Sequence, residues 1–143
     1  MRILCFILRI EMMKIVIGFI ENSEGRILIT RRALNTPMGG YWELPGGKIE
    51  LFESPQAALV REIKEELNLD LLSSESIAVL EDDYTFYLFQ VSNWSGELEL
   101  LVGQLAYRWL RFEEISEYNF PKRNVKFFEL WQKFRFSQSQ SRC

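Results

Sequence analysis

Short apolar stretches with β-strand character open this chain, and a helical beat takes over in its middle. "KIVIGFIE" (14–21) and "RILITRR" (26–32) are rich in β-branched residues and flank the turn signal "NSEG", which predicts a β-hairpin. "NTPMGGYWELPGG" is a Gly/Pro-punctuated loop with a short extended piece at 41–44. Ser54 followed by Pro55 marks a helix start, because the hydroxyl caps and proline fits a first turn where its missing N–H is not needed. That helix is expected to reach about Leu67, with Asn68 as a left-handed terminator. Val60, Ile63 and Leu67 form its predicted buried stripe, while Glu62, Glu65 and Glu66 project from another arc.

Further strands are expected at 77–80, 84–92, 97–101 and 106–110. "FEEISEY" predicts a short helix and "NVKFFELWQKF" a longer one, with Val125, Phe128 and Trp131 at helical spacing. "SQSQSRC" reads as a disordered tail. In the opening "MRILCFILRIEMMK", Arg9 and Glu11 interrupt the apolar run too early for a secretory signal, and the run is far short of a membrane span. Residues 1–13 are therefore expected to be an upstream extension, 14–136 a single domain and 137–143 a tail. The fold class is α+β, a mixed sheet with helices packed on it.

Composition narrows the chemistry. A chain of 143 residues, 48% hydrophobic, can build one compact domain with a real core. Seventeen basic against twenty acidic residues give a net charge of -3, so no sequence-wide basic surface awaits duplex nucleic acid. A polyanionic partner would have to be small or bridged by metal. Two cysteines, Cys5 and Cys143, sit near opposite ends and suggest neither a disulfide framework nor a metal-ligand set, which fits a reducing, cytoplasmic setting. The chain has no histidine, so any acid–base or metal chemistry must rest on carboxylates.

Those carboxylates gather in "GGKIELFESPQAALVREIKEELNL" (46–69). A solvated acidic face, partly balanced by Arg61 and Lys64, is the ordinary meaning of such a helix. Here the cluster directly follows a Gly-Gly loop, where a backbone carbonyl can approach closely, and the carboxylates outnumber their local partners. Hard divalent cations such as Mg²⁺ suit a site of carboxylates, a carbonyl, water and substrate phosphates.

The stretch resembles a Nudix box, the signature G-x5-E-x7-R-E-U-x-E-E-x-G-U with U a bulky aliphatic residue. Gly47, Glu53, Arg61, Glu62, Ile63, Glu65, Glu66 and Leu69 occupy pattern positions, and Asn68 stands where the pattern has Gly. The resemblance implies an α/β/α sandwich whose box helix carries the site, and hydrolysis of a nucleoside diphosphate linked to another moiety. It implies Mg²⁺, with Mn²⁺ as an alternative, held by Glu62, Glu65, Glu66 and the Gly46 carbonyl. Arg61 would hold the carboxylates in position and Glu53 would assist through bound water. Several family members take a general base from a later loop; Val102 aligns there, which moves the expected base to Glu65 or Glu53.

Beyond the box, "ITRR", "YWELPGGKIE", "NWSGELE", Gly103–Gln104 with Trp109, and "FPKRN" are similar to the MutT type, which removes pyrophosphate from oxidised purine nucleoside triphosphates. This likeness implies Arg32, Leu44, Gly47 and Asn124 as substrate-binding residues, with Asn124 reading the base; capping the last helix is the other role open to Asn124. The expected activity is 8-oxo-dGTP diphosphatase, with CTP or dCTP pyrophosphohydrolase as the alternative and a non-catalytic nucleotide-binding module as the reading from another class. The expected partner is a small nucleotide, not duplex nucleic acid or membrane, and the protein a monomer or homodimer.

Overall fold

Five consecutive buried positions run from Val16 to Ile20 in strand β1 (Lys14–Ile20). A strand apolar on both faces must be covered on both, and this requirement organises the molecule. In the computed structural model, which describes residues 13–141, the remaining elements are β2 (Ile27–Arg32), β3 (Trp42–Glu43), β4 (Gly46–Lys48), helix α1 (Pro55–Leu67), β5 (Asp70–Glu81), β6 (Thr85–Ser95), β7 (Gln104–Leu110), a 3-10 helix (Phe112–Glu117) and helix α2 (Asn124–Ser141). Apart from Met13, the expected upstream extension lies outside the described residues.

A mixed sheet in the order β4-β1-β6-β5 carries β1 and β6 parallel, from Lys14 opposite Thr85 to Ile20 opposite Val91. An antiparallel sheet, β3-β2-β7, lies beside it. Val16 and Ile20 join Leu59, Ile63 and Leu67 of α1 in one core, while Ile17 and Phe19 join Phe127, Phe128 and Trp131 of α2 in the other. The result is the expected α/β/α sandwich.

Several local expectations are corrected. The 14–32 pair makes its turn, with the Asn22 side chain accepting from the Glu24 and Arg26 amides at 3.0 Å and Gly25 at φ 76°. It makes no hairpin ladder: after the single Glu21–Ile27 bridge the strands part into different sheets, because β4 and β6 take both edges of β1. The 97–101 segment is no strand; the Glu99 and Leu101 amides donate to the Leu67 and Glu66 carbonyls at 3.0 and 2.9 Å, satisfying the end of α1. Leu98 and Leu100 pack against the α1 core from there.

On α1 the buried row is Ala58, Leu59, Ile63 and Leu67, which leaves Val60 at the exposed flank. On α2 the buried residues are Asn124, Phe127, Phe128 and Trp131, and Val125 is exposed. Of the tail expected to be disordered, residues 137–141 continue α2, and 142–143 lie outside the described residues. No proline or glycine interrupts it, and the hydroxyls of Ser137, Ser139 and Ser141 donate to carbonyls three residues back at 2.8–2.9 Å.

Candidate active site

The α1 helix begins where expected, with the Ser54 hydroxyl accepting from the Ala57 amide at 3.1 Å, and ends with Asn68 in the left-handed region at φ 58°. Between these caps, Glu62 and Glu66 stand one turn apart on the same face. Both line a cleft of about 730 Å³ between the mixed sheet, the 33–41 loop and the start of α2. Strand β4 makes the approach possible. Gly47, opposite Val16 in the ladder, has no side chain, and a Cβ there would collide with the Glu62 carboxylate.

Arg61 braces this arrangement. Its Nε and Nη2 donate to the two Glu53 oxygens at 2.8 Å each, Nη2 also reaches the Lys48 carbonyl at 3.0 Å, and Nη1 donates to Glu62 at 2.9 Å. The fork ties the start of the helix, strand β4 and the cleft carboxylate to one planar group. Hydrogen bonding from Arg61 holds the Glu53 carboxyl down at about 2, and the guanidinium is in turn pushed up. Glu66 is the opposite case: burial first, then the adjacent Glu62 carboxylate, push it up to about 8. The helix thus places a carboxyl in the cleft wall whose charge the nearby Arg32 offsets only in part.

Such a pair suits a divalent cation. Among the described residues no three acidic, thiol or imidazole side chains converge into a complete cage. Two carboxylates with Gly46 at the same cleft fit a hard ion that keeps open positions for water and phosphate oxygens, as Mg²⁺ does.

Of the residues expected at the site, Arg32, Leu44, Gly46, Gly47, Glu62, Glu66 and Asn124 line the one cleft. Glu53, Arg61 and Glu65 do not. Glu53 and Arg61 form the brace behind it, and Glu65 is solvent-facing with a 3.4 Å contact to Arg61. Asn124 is 7% exposed, and its side-chain amide has no hydrogen-bond partner among the described residues, so it makes no helix cap.

Sequence reasoning missed three groups. Glu43 pairs with Arg32 at 3.1 Å in the cleft wall, its carboxyl raised by burial and partly relieved by that arginine. Only its place in "YWELPGG" beside the glycines hinted at this. Phe86 and Phe127, with ring centres 5.0 Å apart, supply an aromatic wall, and Gln104 presents a buried Oε1 with no partner. The aromatic richness of β6 was visible, but which of its rings faces the cleft depends on the register with β1.

The NUDIX domain model matches residues 12–131. The 8-oxo-dGTP diphosphatase of Escherichia coli (strain K12) is 33% identical over 117 residues, covering 78% of this chain and 90% of that protein. The CTP pyrophosphohydrolase of the same strain is 29% identical over 130 residues, covering 87% and 95%. A solved structure from a study of MutT of Aliivibrio salmonicida and Vibrio cholerae superposes with a TM-score of 0.74 at 32% identity, covering 82% of this chain and 94% of that one. Nudix hydrolases generally use divalent metal cations, in keeping with the paired cleft carboxylates. A box helix braced through Arg61, two facing carboxylates and a match running from the first strand into α2 place the chain in the Nudix family, as a hydrolase acting on nucleoside triphosphates.

Proposed function

We propose that the protein is a Mg²⁺-dependent diphosphatase of 8-oxo-dGTP, adding water to yield 8-oxo-dGMP and pyrophosphate. The observation that carries this reading is Asn124, mostly buried in the cleft wall lined also by Phe86 and Phe127, with its unpaired amide open to the cleft. Its amide atoms are open to the cleft rather than enclosed, so both its donor and its acceptor are available to a ligand. The N7–H of 8-oxoguanine can donate to the Asn124 oxygen while O6 accepts from its NH₂; ordinary guanine presents an acceptor at N7 and loses the first bond.

At the other end of the cleft, Glu62 and Glu66 would hold the cation with the Gly46 carbonyl. When bound, the ion neutralises phosphate oxygens and acidifies a coordinated water. The chain's own work is positional. Arg61 keeps Glu62 oriented, Gly47 leaves room for its carboxylate, and the phenylalanines exclude water from the base. Glu53, with both oxygens engaged by Arg61, serves this reading as a brace better than as a base. Glu65 is the less encumbered of the two carboxylates expected for that role, but it faces solvent outside the cleft.

The test is Asn124→Ala assayed on 8-oxo-dGTP and dGTP. The expected result is a fall of about 10–100-fold in the selectivity ratio of kcat/KM, with the mutant still folded. Equal losses on both substrates would contradict the base-reading role, and a wild type that prefers CTP would replace 8-oxo-dGTP as the substrate.

A further inference from the structure

Arg123 stands next to Asn124 and lines the same cleft. Its Nη2 donates to both oxygens of Asp83 at 2.7 Å, and Asp83 is itself fixed in the β5–β6 turn by accepting from the Tyr84 amide at 3.0 Å. The guanidinium lies over the Tyr84 ring, 5.3 Å from its centre, and over Phe86 at 4.9 Å. One nitrogen is thus fully used, while Nε and Nη1 have no acceptor among the described residues. A guanidinium offers donors only, and stacking on Phe86 leaves it little freedom to turn away.

We propose that Arg123 is a specificity-determining residue, positioned by Asp83, that donates to the carbonyl oxygen at C6 of the purine. This rests on the 8-oxo-dGTP reading and deepens it. A carbonyl oxygen has two lone pairs, so O6 can accept from Asn124 and from Arg123 together. A base with an amino group at C6 brings donors against donors and leaves both sides unsatisfied. Arg123 therefore selects the 6-oxo over the 6-amino purine, while the N7–H contact of Asn124 selects the oxidised base over the ordinary one.

The discriminating pair is 8-oxo-dGTP and 8-oxo-dATP, which share the oxidised C8 and differ at C6 and C2. Wild type, Arg123→Ala and Arg123→Met are compared; methionine keeps apolar cover on Phe86 and removes every N–H, so it separates packing from hydrogen bonding. In both variants the ratio of kcat/KM for the two substrates should fall by about tenfold or more, with the 8-oxo-dGTP/dGTP ratio largely retained and thermal melting showing a folded protein. An unchanged C6 ratio, or a loss shared equally by both oxidised substrates, would reduce Arg123 to a structural tie for the β5–β6 turn. A wild type with no preference for 8-oxo-dGTP over dGTP would instead sink the proposed function and this inference with it. The first failure leaves that preference intact, so the two are distinguishable.

Discussion

With its carboxyl pushed up to about 8 in the cation-free protein, Glu66 holds a proton near neutrality that the proposed cation would have to displace. Apparent cation affinity should therefore rise with pH and level off above about 8, with protons released on binding, as calorimetry in two buffers of different ionisation enthalpy would show. Without cation the sign for stability reverses. The unfolded chain loses this proton near 4.5 and the folded one only near 8, so stability falls as pH rises through that window. Glu66→Gln should remove both dependences and hydrolysis while leaving the protein as stable or more so. Near-native turnover of that variant would remove Glu66 from the metal site. At this scale the box spacing and the resemblance of "FPKRN" led to Glu62, Glu66 and Asn124, which line the cleft, and to Glu53 and Glu65, which do not. Glu43 could not be found this way, since a lone glutamate in a Gly/Pro loop says nothing of the Arg32 it meets across the β2–β3 ladder.

The elements show where local pattern suffices and where partners decide. Helix α1 followed directly from Ser54, Pro55 and Asn68, because caps are local chemistry. The hairpin expectation failed because "NSEG" specifies a turn but not which strands claim the edges of β1. Residues 97–101 looked like a strand because Leu98 and Leu100 alternate with glutamates, yet their amides serve the end of a helix. Strand β4 was invisible, two of its three residues being glycine, and it is the element that admits Glu62 to the cleft. Gly47→Ala should therefore displace the Glu62 carboxylate. We expect cation affinity and kcat to fall by about tenfold or more, with the melting temperature changing little by comparison. Activity and cation affinity retained in Gly47→Ala would show that Glu62 does not need this close approach.

Across the whole molecule, β1 divides two cores, and the α2 side is anchored far from the cleft. Trp131 stacks on Phe19 with ring centres 5.2 Å apart and donates from its indole to Gln90 at 2.8 Å, and Gln90 in turn donates to Glu21 at 2.7 Å. Trp131→Ala should cost about 3–5 kcal/mol in denaturant unfolding, and a loss under about 1 kcal/mol would show that the α2 layer is not integral to the core. Asn124 and Arg123, at the start of that layer, line the same cleft as Glu62 and Glu66, and under the proposed function the two ends act on one oxidised nucleotide. The most direct test is turnover by wild type of 8-oxo-dGTP, dGTP and CTP in parallel with Mg²⁺, with products identified. The expected products are 8-oxo-dGMP and pyrophosphate, at a kcat/KM for 8-oxo-dGTP about 100-fold or more above that for dGTP. Equal rates on dGTP, or a preference for CTP, would contradict the proposed function.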